Sequence, residues 1–129
     1  MKDVVAIERY DSMDIAFLRN LRDLTLSLGN PNRFSDLINL FLNSLQTDLE
    51  SLRKALRERN TLALREVAHG LKGTSANLGA VCLAALCSVL EEACMSPEVD
   101  GAERIVQEIE SQAQAVRQIM LWEAKCGCQ

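Results

Sequence analysis

Apolar residues recur at steps of three and four along almost the whole of this chain, and that spacing constrains its fold more than any other feature. At 100° per residue it draws a stripe down one side of a helix, whereas a half-buried strand needs strict alternation. The cleanest stripe runs Phe34, Leu37, Ile38, Phe41, Leu42, Leu45, Leu49, Leu52 and Leu56. Nothing resembles a strand. Only two prolines and six glycines punctuate the 129 residues, and aromatics are 4%. Leucine, alanine, glutamate and arginine take their place, which favours helix.

Five helices are predicted. The first spans about Ser12, as N-cap, to Leu28, with Phe17, Leu21, Leu24 and Leu28 on its inner face. Gly29-Asn30-Pro31 stops it and begins the second, proline being suited to a first helical turn. The second carries the stripe above and ends near Arg59-Asn60. The third, about Thr61 to Leu78, buries Leu64, Val67, Ala68, Leu71, Ser75 and Leu78 and stops at Gly79. The fourth, about Ala80 to Cys94, presents Leu83, Leu86, Cys87, Leu90 and Cys94. After Ser96-Pro97 the fifth presents Val99, Ala102, Val106, Ile109, Ala113, Val116 and Met120. Four such stripes on short connections predict an all-α, up-and-down antiparallel four-helix bundle. The extra N-terminal helix would cap one end. The expected organisation is a single domain over 1–129: capping helix about 12–28, bundle about 32–124, frayed tail 125–129.

A net charge of −4 argues against nucleic acid as a partner, which needs clustered positive surface. The basic run Arg53-Lys54 and Arg57 to Arg59 is interleaved with acids and reads as a solvated helix face. The longest apolar run, Leu78 to Leu90, is too short to span a membrane, so no membrane insertion is expected. Met1 to Tyr10 lacks the apolar core of a signal peptide, which makes the cytoplasm the expected location. The five cysteines show no zinc-type C-x-x-C pair. Cys82, Cys87 and Cys94 read as small buried hydrophobes, and Cys126 and Cys128 as part of the tail.

The single histidine, His69, is the unusual residue. Measured around the third helix it points well away from the apolar stripe, with Arg65 one turn before it and Lys72, Gly73 and Ala76 following on the same side. Glycine inside a helix costs about 1 kcal/mol relative to alanine, yet Gly70 and Gly73 both flank it. An exposed imidazole with clear space and a cation one turn away suits a phosphoryl group. Imidazole offers a neutral nucleophilic nitrogen near neutral pH, and phosphoryl transfer asks mainly for positioning and charge stabilisation. Helix geometry alone fits a surface histidine of no consequence equally well.

The run Ala68-His69-Gly70-Leu71-Lys72-Gly73-Thr74-Ser75-Ala76-Asn77-Leu78-Gly79-Ala80 resembles the signature of histidine-containing phosphotransfer (HPt) domains, written H-x-L-K-G-[ST]-[SA]-x-x-[LVF]-G. Phe41-Leu42 through Asp48-Leu49 and Leu52, and Leu83, Leu86 and Leu90-Glu91 downstream, are similar to the helices flanking that signature. The likeness covers roughly residues 34 to 95. It implies that His69 is the phosphoacceptor, that Lys72 favours the phosphorylated form, and that Gly73 gives access. Arg65 and Ala76 would line the same face. It also implies that Glu91, where many relatives carry glutamine, orients the imidazole from the next helix; Glu92 is its neighbour and could take that place. The implied partners are response-regulator receiver domains and a hybrid sensor histidine kinase. The chain lacks a Gly-rich ATP-binding segment and an acidic receiver pocket, so it would be a phosphocarrier without a cofactor of its own, Mg²⁺ sitting on the partner receiver domain. A monomer is expected.

Three rival readings compete. Glu66-x-x-His69 fits the di-iron bundle motif, but that site needs two such motifs facing inward, and one outward histidine supplies neither. A helical docking module that binds receiver or kinase domains without phosphotransfer is the alternative function. A helix-turn-helix DNA binder would need a basic recognition helix that is absent.

Overall fold

A computed structural model describes residues 12–96 and 101–126. It contains five helices: α1 (Ile15–Ser27), α2 (Arg33–Arg57), α3 (Thr61–Asn77), α4 (Val81–Ala93) and α5 (Ala102–Cys126). Helices α2 to α5 form the expected up-and-down bundle, each packed on its chain neighbour and α2 closing on α5. Among the described residues there is no strand.

The core is built from the predicted stripes. Ile38, Leu52, Leu64, Leu71, Leu83, Leu90, Val106, Ile109, Val116 and Met120 are fully buried, each stabilising the fold by about 1.5–3 kcal/mol relative to exposure. Ile119 joins them. Val99, assigned to the last stripe, lies outside the described residues. So do the tail residues beyond Cys126 and the Cys126 side chain; α5 itself continues to Cys126, two residues past the expected bundle limit. Cys87 and Cys94 are buried and Cys82 half-buried. Burial pushes the Cys87 thiol up to about 12, so it packs as a neutral hydrophobe.

The connections explain the register. At the end of α2, Asn60 N–H donates to Ala55 O and Arg59 N–H to Leu56 O, with Arg59 in the left-handed region at φ 54°. This is a Schellman closure. Asn60 then starts α3, its side chain accepting from Ala63 N–H at 3.0 Å. At the end of α3, Ala80 N–H donates to Ser75 O and Gly79 N–H to Ala76 O, the same closure with Gly79 at φ 79°. Glycine is required there twice over, since a Cβ would also stand 3.2 Å from the Phe17 ring and 3.3 Å from Asp14 O.

Helix α1 covers one end of the bundle, as expected, but three local readings need correction. Its N-cap is Asp14, not Ser12; Asp14 accepts from Phe17 N–H at 3.0 Å, and its own N–H donates to Gly79 O at 2.7 Å. Pro31 lies in the preceding turn, and α2 starts at Arg33 behind Asn32. The inner face of α1 is Leu18 and Thr25, while Phe17, Leu24 and Leu28 are exposed. The cause is Glu123 near the end of α5, only 2% exposed. Its carboxylate accepts from Arg19 Nε at 3.1 Å, Arg19 Nη2 at 2.9 Å and Arg22 Nη1 at 2.9 Å. A buried carboxylate demands such partners, and supplying them turns the Phe17–Leu24–Leu28 stripe about a quarter-turn outward.

Candidate functional site

His69 stands in the middle of α3 with its side chain 70% exposed, supported from below by the buried Ala68 and Leu71. Glu91, on the facing side of α4, places Oε2 2.8 Å from His69 Nδ1 and Oε1 2.7 Å from Lys72 Nζ. One carboxylate therefore joins both side chains. Spacing accounts for this: His69 and Lys72 are three apart on one helix face and converge on a single position of the neighbouring helix.

The electrostatics follow from the contacts. The Lys72 hydrogen bond first, and the His69 hydrogen bond second, hold the Glu91 carboxyl below its usual range. An ionised carboxylate only accepts hydrogen bonds, so the imidazole presents Nδ1–H to Glu91. In the neutral ring that contact sets the tautomer, with the lone pair on Nε2 of the exposed side chain. No described residue is hydrogen-bonded to Nε2. Lys72 differs from the simple expectation of a cation waiting for phosphate: its ammonium already donates to Glu91, with two further N–H donors left over.

The remaining predicted residues frame this group. Beyond its chain neighbours and the backbone of α3 itself, a Cβ built at Gly73 or at Gly70 meets nothing within 4 Å, and Ala76 is exposed. The outer side of α3 beyond His69 is therefore open. Arg65, one turn earlier, reaches Met95 in the turn after α4, Nη1 to Sδ 3.4 Å, which separates it from the carboxylate bridge. Glu92 is exposed and takes no part in the bridge. Asp48 on α2 is half-buried, and burial raises its carboxyl. Among the described residues no three His, Cys, Asp or Glu side chains are placed to hold a metal ion, and no helix is long and apolar enough to cross a membrane. Every group in the site had been singled out in the sequence; what spacing did not reveal was that Glu91 serves His69 and Lys72 together.

The site is thus one exposed imidazole, paired through Nδ1 with a carboxylate, on a helix with open space at Gly70 and Gly73, an arrangement suited to carrying a phosphoryl group. The model of the Hpt domain family matches residues 36–119, and the chain belongs to that family. It is 24% identical over 129 residues to histidine-containing phosphotransfer protein 2 of Arabidopsis thaliana, covering 83% of each chain. It is also similar to the crystal structure of histidine-containing phosphotransfer protein B from Pseudomonas aeruginosa PAO1. There the TM-score is 0.80 and the identity 30%, over 88% of this chain and 95% of that one. The protein thus acts as a histidine phosphotransfer protein in phosphorelays, a family of phosphocarriers that work with receiver domains and kinases.

Proposed function

We propose that His69 accepts the phosphoryl group at Nε2 and passes it between the aspartates of receiver domains, in a relay fed by a hybrid sensor kinase. The observation that carries this reading is the pairing of Nδ1 with the Glu91 carboxylate at 2.8 Å on the only histidine of the chain. With the proton held on Nδ1, Nε2 of the exposed ring is left with its lone pair for attack. Lys72, held beside the ring by Glu91, would direct its spare N–H donors at the phosphoryl oxygens, where a cation favours added negative charge. Gly73 and Ala76 would leave room for the partner to bring its aspartate in line, as near-attack geometry requires. Mg²⁺ and most of the catalytic groups would reside on that receiver, and this chain would need no cofactor. A monomer working in the cytoplasm fits this scheme.

The test is direct. Incubated with a phosphorylated receiver and Mg²⁺, the protein gains one acid-labile, base-stable phosphoryl group, and His69→Gln gains none. Labelling that survives the substitution refutes the assignment, because no other histidine exists.

A further inference from the structure

The carboxylate at position 91 is a chemical choice whose consequence lies in the phosphorylated state. Resting on the acceptor assignment above, we infer that Glu91 keeps the Nδ1 proton on the ring through the whole cycle, so that the phosphohistidine is held as its imidazolium and stays ready to give the phosphoryl group away. When Nε2 attacks an aspartyl phosphate, the P–O bond breaks and its electron pair leaves with the aspartate carboxylate. The new N–P bond gives the ring one positive charge, with the proton still on Nδ1. In the outward step an aspartate oxygen attacks phosphorus and the N–P pair returns to the ring, which departs as neutral imidazole. A ring that had lost the Nδ1 proton would have to leave as an imidazolate anion, a far poorer leaving group. Retention of that proton therefore governs outward transfer.

An amide at position 91 accepts the same hydrogen bond but adds no charge. A carboxylate 2.8 Å from Nδ1 favours the positive ring by direct attraction. The other charged and titratable groups around the ring do not cancel this. Lys72 shares the carboxylate through its other oxygen, 2.7 Å away, and opposes the effect in part. Arg65 is drawn off to Met95. Glu66 and Glu92 are exposed on α3 and α4. Asp48 on α2 is half-buried and Cys87 on α4 is buried, and burial pushes both upward; neither can add a positive charge that would offset the carboxylate. Glu91 acts on the ring and not on the reacting phosphorus, so it is a positioning residue.

The experiment uses the whole chain labelled with ¹⁵N in its one histidine ring, phosphorylated with potassium phosphoramidate, which transfers its phosphoryl group with release of ammonia. The Nδ1 resonance is followed against pH for the parent, Glu91→Gln and Glu92→Gln. Phosphorylated parent protein should keep the Nδ1 proton about one pH unit higher than Glu91→Gln, consistent with one opposite charge at contact. Glu92→Gln, which removes the same formal charge without touching the ring, should follow the parent. At a pH above both midpoints, transfer to a receiver should be about tenfold slower from Glu91→Gln. Coincident profiles for parent and Glu91→Gln, or an equal shift in Glu92→Gln, overturn the inference while leaving the acceptor assignment intact. Failure of phosphoramidate to label His69 overturns the assignment, and the inference with it.

Discussion

Replacing Gly73 with glutamine should separate folding from phosphotransfer. Position 73 lies four residues after His69, so its Cβ would stand about 5–6 Å from that of the histidine. Helical side chains lean toward the N-terminus, and a glutamine at 73 would reach back over the turn that carries the imidazole. Its Cβ would meet no obstacle, since nothing beyond its chain neighbours and the backbone of its own helix lies within 4 Å of that position. Exchanging a mid-helix glycine for a better helix former then stabilises the fold by about 0.7 kcal/mol, or roughly 2–4 °C in Tm for a domain of this size. A receiver must bring its aspartate to about 3–3.5 Å from the reacting centre, where a 1 Å misplacement costs on the order of 100-fold in rate. Transfer should therefore fall by about that factor while Tm rises. Thermal unfolding followed by circular dichroism gives the first quantity, and the initial rate of transfer from phosphorylated receivers gives the second. Gly73→Ala should show at least as much stabilisation with a smaller loss of rate. Parental rates from every receiver tested would show that this face is not the interface, and a lowered Tm would contradict the open space around Gly73.

Two further outcomes concern the framework. Glu123→Ala should lower stability by about 2 kcal/mol, because it strips Arg19 and Arg22 of their shared acceptor; an unchanged urea midpoint would mean that α1 is held by Leu18 and its apolar neighbours alone. Between α2 and α5, Arg53 donates from Nε to Glu110 at 2.7 Å and also from Nη2, and that contact holds the Glu110 carboxyl below its usual range. A carboxyl depressed on folding contributes stability that is complete above its unfolded value, about 4.3, and lost as pH falls through the folded value. Glu110→Gln should therefore weaken the protein near neutral pH, by no more than about 1 kcal/mol for a pair open to solvent, and match the parent near pH 2. A deficit that persists at low pH would point to packing instead.

The bundle was legible in the sequence because α2 to α5 each bury one stripe, and periodicity reports that directly. The existence of helix α1 was legible too, but its inward face was not, because it is apolar on two sides. Phe17, Leu21, Leu24 and Leu28 make the more regular pattern, yet of these only Leu21 packs against the core, while Leu18 and Thr25 are buried. The choice is made by Glu123, which is more than a hundred residues away along the chain and invisible to a local window. The cap failed for a related reason: Asp14 is fixed by its contact with Gly79, a tertiary partner. At the site, His69, Lys72, Gly73 and Glu91 could be named from pattern and resemblance. The shared carboxylate could not, since it depends on where α4 sits against α3.

That alignment depends on a count as well as on side chains. From His69 to the last residue of α3, Asn77, is eight residues, and from the first residue of α4, Val81, to Glu91 is ten. The two legs rise about 12 and 15 Å around the Gly79 corner, and their ends meet within a hydrogen bond. One residue gained or lost within either helical leg would slide Glu91 past His69 by about 1.5 Å and swing it by about 100°. Glu91 would then face elsewhere with every signature residue still in place. Substitution is thus only one way for such a chain to lose its chemistry, and the residue count of the two helical legs carries information that no single side chain holds.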